Sequence, residues 1–299
     1  MVARAARLDQ VVHLSDGRVL GYAEYGAPSG PPLFLFHGLP GSRLDAPQMW
    51  PGDPAAVRII APDRPGFGAS TLQAGRGLTD WADDVRQLAD SLDIERFLVA
   101  GFSGGGPHAL AVAHGLPDRV IAAGSISGAG PIDTPDALVG MNRVNRLIFR
   151  VARKAPPALG LLVAPHAYLV KRQPGRVVDR SADDKRLPEA DREAMTSPRQ
   201  RELMIMAAPE AFRQGIRGLV HEAHICAGPW GFDPAAIKPP VFIWHGDRDT
   251  NVPLHMAQQL AARIPDSRLT IYQGEGHLIV PKHWTEILTA LVSAQRHLA

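Results

Sequence analysis

The sequence predicts an α/β protein: a doubly wound, mostly parallel sheet with a block of helices inserted after its sixth strand. Three observations predict it. Short, continuous apolar runs such as Leu33-Phe34-Leu35-Phe36, Val57 to Ala61 and Val120 to Ile126 read as strands covered on both faces. Segments with helical apolar spacing separate several of these runs, and alternation of this kind builds a parallel sheet with helices on both sides. From Pro131 to Lys238 the alternation stops and the sequence turns helical, irregular and arginine-rich, until Val241-Phe242-Ile243-Trp244 resumes the sheet.

Val11 to Leu14 and Val19 to Tyr25 read as antiparallel strands around the Asp16-Gly17 turn. The strand at 33–36 ends in His37-Gly38-Leu39-Pro40-Gly41-Ser42, and the strand at 57–61 ends in Pro62-Asp63-Arg64-Pro65-Gly66-Phe67-Gly68-Ala69-Ser70, of which Asp63-Arg64-Pro65-Gly66 reads as a structural turn. Trp81, Val85, Leu88, Ala89 and Leu92 recur at helical spacing after a Thr79 or Asp80 cap. Phe97 to Ala100 forms the next strand, followed by a helix to about His114. After the insertion, Pro253 starts a helix through Leu254, Ala257, Leu260, Ala261 and Ile264, then come a strand at Leu269 to Tyr272 and a closing helix at about His283 to Arg296. The expected division is a core domain of residues 1–130 and 239–299 and a helical cap of residues 131–238.

Composition removes several classes. With 45% hydrophobic and 21% charged residues and no run of about 18 apolar residues, a globular chain without a membrane span is expected. Met1 to Leu8 has no apolar core or cleavage site of a secretory signal. A net charge of +2, with cations scattered among acids, leaves no electrostatic footprint for nucleic acid. Cys226 is the only cysteine, so no internal disulfide can form and a cytoplasmic location is expected. The arginines at 143, 146, 150 and 153 read as the solvated face of a lid helix.

The chemistry is expected past the strand ends, where open α/β sheets carry their ligands. Val99-Ala100-Gly101-Phe102-Ser103-Gly104-Gly105 reads as a buried strand turning sharply into a helix, with Ser103 forced into a left-handed backbone and Gly101 and Gly105 leaving it room. A phosphate loop is the rival reading, but no Gly-x-Gly-x-x-Gly follows the first strand and no Gly-Lys-Ser/Thr occurs. Past later strands stand Asp247 and Asp249, then His277. A serine hydroxyl is a poor nucleophile at neutral pH, so an imidazole must take its proton and a carboxylate must orient that imidazole. His277 and Asp249 fit those roles; Asp249 is preferred to Asp247 because it lies deeper in the loop. The backbone N–H groups of Leu39 and Gly104 match the two donors an oxyanion requires. His37, Trp230 and Phe232 are candidates for the substrate pocket, and an apolar cluster from Leu159 to Val170 could line it or simply pack the cap.

Together, His37-Gly38-Leu39-Pro40-Gly41, the 63–70 loop, Gly101-Phe102-Ser103-Gly104-Gly105, His245-Gly246-Asp247-Arg248-Asp249 and Gly276-His277 resemble the α/β-hydrolase fold over essentially the whole chain. The chain is similar to the capped branch that includes esterases, haloalkane dehalogenases, epoxide hydrolases and proline iminopeptidases. Ser103 stands where dehalogenases and epoxide hydrolases carry an aspartate nucleophile. Gly104 and Gly38-Leu39-Pro40 depart from the iminopeptidase pattern of Trp after the serine and Gly-Gly-Pro in the oxyanion loop. The resemblance implies a serine hydrolase, free of cofactor and metal, that cleaves an ester of a small, largely apolar molecule through an acyl-enzyme. An amidase or aminopeptidase is the alternative, with Glu202 or Glu210 binding an amine. A non-catalytic small-molecule receptor is a further one, although such proteins often lose a triad member and all three positions are filled here.

Overall fold

The computed structural model describes residues 6–49, 57–134 and 136–296. Residues 1–5, on which the reading of no secretory signal chiefly rests, lie outside the described residues. Among the described residues eight strands form one sheet: β1 (Arg7–His13), β2 (Val19–Gly26), β3 (Pro32–Phe36), β4 (Arg58–Pro62), β5 (Phe97–Phe102), β6 (Val120–Ile126), β7 (Val241–Gly246) and β8 (Ser267–Tyr272). Their spatial order is β1-β2-β4-β3-β5-β6-β7-β8. β2 is antiparallel to both neighbours, and the strands from β4 onward in that order are mutually parallel.

Both faces of the sheet are covered, which is why its central strands are apolar without alternation. On one face α1 (Trp81–Ser91), α2 (Gly105–Gly115) and α9 (Leu254–Arg263) pack Trp81, Leu88, Leu110 and Leu260 against Phe34 and Val99. On the other, α10 (Val280–Arg296) lays Trp284, Ile287 and Leu291 against Ile121 and Trp244. Of the two expected cap residues, Asp80 takes the N-cap position of α1, but its carboxylate accepts from Gly77 N–H at 2.7 Å and makes no capping bond to the helix. The closing helix starts at Val280, earlier than the expected His283. Pro281 falls in its first turn, where the missing N–H costs no helical bond.

Between β6 and β7 run α3 (Arg143–Lys154), α4 (Pro156–Arg172), α5 (Pro174–Ala182), α6 (Glu189–Thr196), α7 (Pro198–Ala207) and α8 (Arg217–Ala227), with no strand among the described residues of 131–238. Three of these helices open on a proline, which is preorganised for the first helical position and explains why a proline-rich stretch is helical. Helices α3, α4 and α8 share a core that includes Ala152, Leu159, Val163, Val170 and Leu219, together with Phe212 before α8 and Phe67 from the 63–70 loop. Leu161 and Tyr168 of the expected apolar cluster instead point to solvent. No helix among the described residues is long and apolar enough to cross a membrane.

Candidate active site

Because β3, β5, β6, β7 and β8 are parallel, the loops after them meet at one edge of the sheet. Ser103 turns the chain from β5 into α2 at φ +53°. A non-glycine residue there stores about 1–3 kcal/mol of strain, so the surroundings must impose it. They do so by close approach. A β-carbon on Gly101 would stand 2.0 Å from the Gly105 oxygen, and one on Gly105 would stand 2.4 Å from the Phe36 oxygen. Ser103 N–H donates to the Ile126 carbonyl at 2.9 Å, tying the turn to the neighbouring strand.

Asp249 follows β7, His277 follows β8, and His277 Nδ1 lies 2.7 Å from Asp249 Oδ2. An ionised carboxylate only accepts, so Nδ1 carries the proton and the neutral ring keeps its lone pair on Nε2. Asp249 Oδ1 accepts from Asn251 and Val252 N–H at 2.8 and 2.9 Å, and His245 Nε2 stands 3.3 Å from Oδ2. Burial by itself would raise the Asp249 carboxyl, but His277 and His245 beside it outweigh that and hold it well below the usual carboxylate range. For His277, burial opposes the charged ring, while Asp249 and then Asp191 raise its pKa above the ordinary value. Asp247, the rival acid, clips the surface by accepting Gly274 N–H at 2.7 Å.

Leu39 and Gly104 are brought face to face: a β-carbon on Gly104 would lie 2.7 Å from Leu39 Cβ and 3.4 Å from its nitrogen. Among the described residues neither N–H donates to a protein acceptor. The loop bearing Leu39 is held from beneath by the buried Arg64, which donates to the His37 and Gly38 carbonyls at 2.5 and 2.9 Å. Arg64 is paired with Glu222 of α8, which also pairs with Arg76 and lies 3.1 Å from His108 Nε2. Burial would push the Glu222 carboxyl up; His108, Arg76 and Arg64 around it hold it far down. His37 belongs to this support. Its Nε2 accepts Arg64 N–H at 3.2 Å and its Nδ1 bonds Gly38 O at 2.8 Å, so both ring nitrogens are engaged and the ring shapes the loop instead of lining a pocket.

A cavity of about 260 Å³ opens between these loops and the inserted helices. Phe102 and Leu278, the neighbours of Ser103 and His277, form one wall, and Val170, Val178 and Phe212 form another. Asp45 is a carboxyl in its lining; burial pushes its pKa up to about 7, and its two oxygens are taken by Ser42 N–H at 2.9 Å and Gln48 Nε2 at 3.1 Å. Trp230 and Phe232, expected at the pocket, do not line it. Trp230 is buried in the core cluster with α1 and α2, and Phe232 stacks on His114 with ring centroids 4.8 Å apart. The physical reason is topological. Residues leading into β7 lie at its amino end, whereas the site lies at the carboxyl ends.

Two residues missed by the sequence reading hold the His277 backbone. Ser127, at φ +46° just past β6, donates its hydroxyl to the His277 carbonyl at 2.9 Å. Asp191 of α6 accepts His277 N–H at 3.0 Å and Leu278 N–H at 2.7 Å. Ser127 was open to discovery, since it ends a parallel strand as Ser103 does. Asp191 carries no motif and lies 86 positions from His277.

Residues 31–283 match the family model described as alpha/beta hydrolase fold. The chain is 30% identical over 266 residues to the magnesium-chelatase 30 kDa subunit of Rhodobacter capsulatus, spanning 85% of this chain and 83% of that one. Among solved structures, a thermophilic esterase from Thermogutta terrifontis superposes with a TM-score of 0.61 at 23% identity, covering 96% of this chain and 98% of the other. An alpha/beta hydrolase fold protein from Chitinophaga pinensis gives a TM-score of 0.67 at 19% identity, with 96% of each chain covered.

Proposed function

The chain belongs to the alpha/beta hydrolase fold family, and from that premise we propose that it is a serine hydrolase cleaving a carboxylic ester or related acyl bond of a small, largely apolar substrate. Ser103 Oγ attacks the acyl carbon while His277 Nε2 takes its proton, and Asp249 steadies the imidazolium that forms. The oxyanion is received by the N–H groups of Leu39 and Gly104. His277 then returns the proton to the leaving alcohol, and water, deprotonated by the same imidazole, releases the acyl group from Ser103. Helices α3 to α8 act as the cap that walls the substrate from solvent. The observation that carries this reading is the 2.7 Å contact between His277 and Asp249, with the ring of Phe102, the residue before a serine held at positive φ, 5.0 Å from the His277 ring.

Ester cleavage is favoured over aminopeptidase action because, among the described residues, no carboxylate lining the cavity is free to anchor an amine. Glu202 is exposed, Glu210 is bonded to Arg43 at 2.6 Å, and both oxygens of Asp45 are engaged. A non-hydrolytic role, such as the subunit role in the name of the Rhodobacter relative, would be favoured by a missing triad member, and none is missing. The single cysteine, buried in α8, suits a reducing cytoplasm. A panel of nitrophenyl esters of graded acyl length, run beside aminoacyl nitroanilides, tests the proposal. Turnover of the esters is expected; turnover of the anilides alone, or of neither, would contradict it.

A further inference from the structure

We propose that Asp191 is a positioning residue for His277: a carboxylate carried by α6 that grips the histidine's backbone and sets a second negative charge near its ring. The proposal rests on the reading of His277 as the general base.

The geometry is two-pronged. One carboxylate receives the N–H groups of two successive residues, His277 at 3.0 Å and Leu278 at 2.7 Å, one on each oxygen. The Ser127 hydroxyl holds the same residue from its carbonyl side, so the main chain of His277 is fixed at both ends. The sequence around it is built for this contact. A β-carbon at Gly276 would stand 2.3 Å from Asp191 Oδ2, so the glycine before the histidine is the space the carboxylate occupies. Leu278 also lines the cavity, so the same carboxylate joins the substrate wall to the base.

The charge has a role beyond the grip. Asp191 is only 3% exposed, and among the described residues it has no lysine or arginine partner. Burying an anion without a countercharge is costly, and burial raises the carboxyl's own pKa. The cation available to it is the imidazolium that His277 becomes during attack. Among the described residues the charged groups that face His277 are Asp249 from the loop after β7 and Asp191 from α6, with His245 acting through Asp249; the Phe102 ring, 5.0 Å away, covers another side. Asp191 comes from the inserted helices, so seating those helices on the sheet completes the environment of the base.

The test is the rate of labelling by a fluorophosphonate, followed between about pH 5 and pH 9, for the parent, Asp191→Asn and Asp191→Ala, with thermal melting as the check on folding. Asp191→Asn keeps one acceptor oxygen and removes the charge. Its labelling should slow about 10-fold or more, since small displacements of a reacting group cost this much. Its acid limb should also move toward lower pH by about half a pH unit, because the imidazolium has lost a neighbouring anion. Asp191→Ala should be slower still; if it does not fold, Asp191→Asn carries the test. A folded Asp191→Asn with the parent's rate and limb would overturn the proposal, and so would a slower rate with an unmoved limb, which is what a merely structural contact gives. A parent that is not labelled at all would instead overturn the reading of Ser103 and His277, and this proposal with it.

Discussion

At the strand ends each group is held by several independent contacts, whereas the inserted helices contribute mostly apolar surface and two buried carboxylates, Asp191 and Glu222. Ser103 is fixed by Gly101, Gly105 and the Ile126 carbonyl; Asp249 by two backbone N–H groups and two histidines; the 37–41 loop by Arg64. Val170, Val178 and Phe212 meet the cavity with side chains that only fill space. The difference teaches that the sheet fixes what reaction can occur and the helices fix what fits. Asp191 and Glu222 cross that division, one reaching His277 and the other the Arg64 that supports the 37–41 loop.

The widest gap between the two regions is expected in activity. Ser103→Ala should lower kcat by about 10⁵-fold or more while leaving the melting temperature nearly unchanged or raised, since it removes only one hydroxyl. Steady-state kinetics with thermal melting checks both, and activity above about a thousandth of the parent would break the comparison at its centre. Glu222→Gln tests the support of the loop. It leaves Arg64 and Arg76 buried with no countercharge and should cost about 3–5 kcal/mol by denaturant unfolding. A loss below about 1 kcal/mol would mean that the buried network does not hold the helices to the loop. Phe212→Ala should enlarge the cavity and shift selectivity toward longer acyl groups by about 10–200-fold, the range for small changes in an apolar pocket. The ratio of kcat/KM along an ester series reads this directly, and an unchanged profile would place the acyl group elsewhere.

The smallest effect is on pH. Burial opposes charging of His277, but Asp249 and Asp191 outweigh it, so the raised pKa keeps the ring protonated to higher pH than usual. A general base must be neutral, so kcat/KM should fall as pH drops through a value above about 6.5. An acid limb clearly below that would show that burial dominates.

Much of this was legible in the sequence because it is local. Apolar runs of β3, β5 and β6 and the glycines around Ser103 are short-range signals, and the rule that chemistry follows strand ends picks out Asp249 and His277. What stayed hidden depends on contacts between distant segments. Arg64 and Glu222 are 158 positions apart, and nothing in their spacing foretells the pair. Trp230 and Phe232 misled because nearness in sequence to β7 says nothing about which end of the strand they sit at.

The most direct test of the account is the intact mass of the protein after exposure to a fluorophosphonate, for the parent and for Ser103→Ala. The expected result is one adduct on the parent and none on the variant. No adduct on the folded parent, or the same adduct on both, would contradict an activated Ser103.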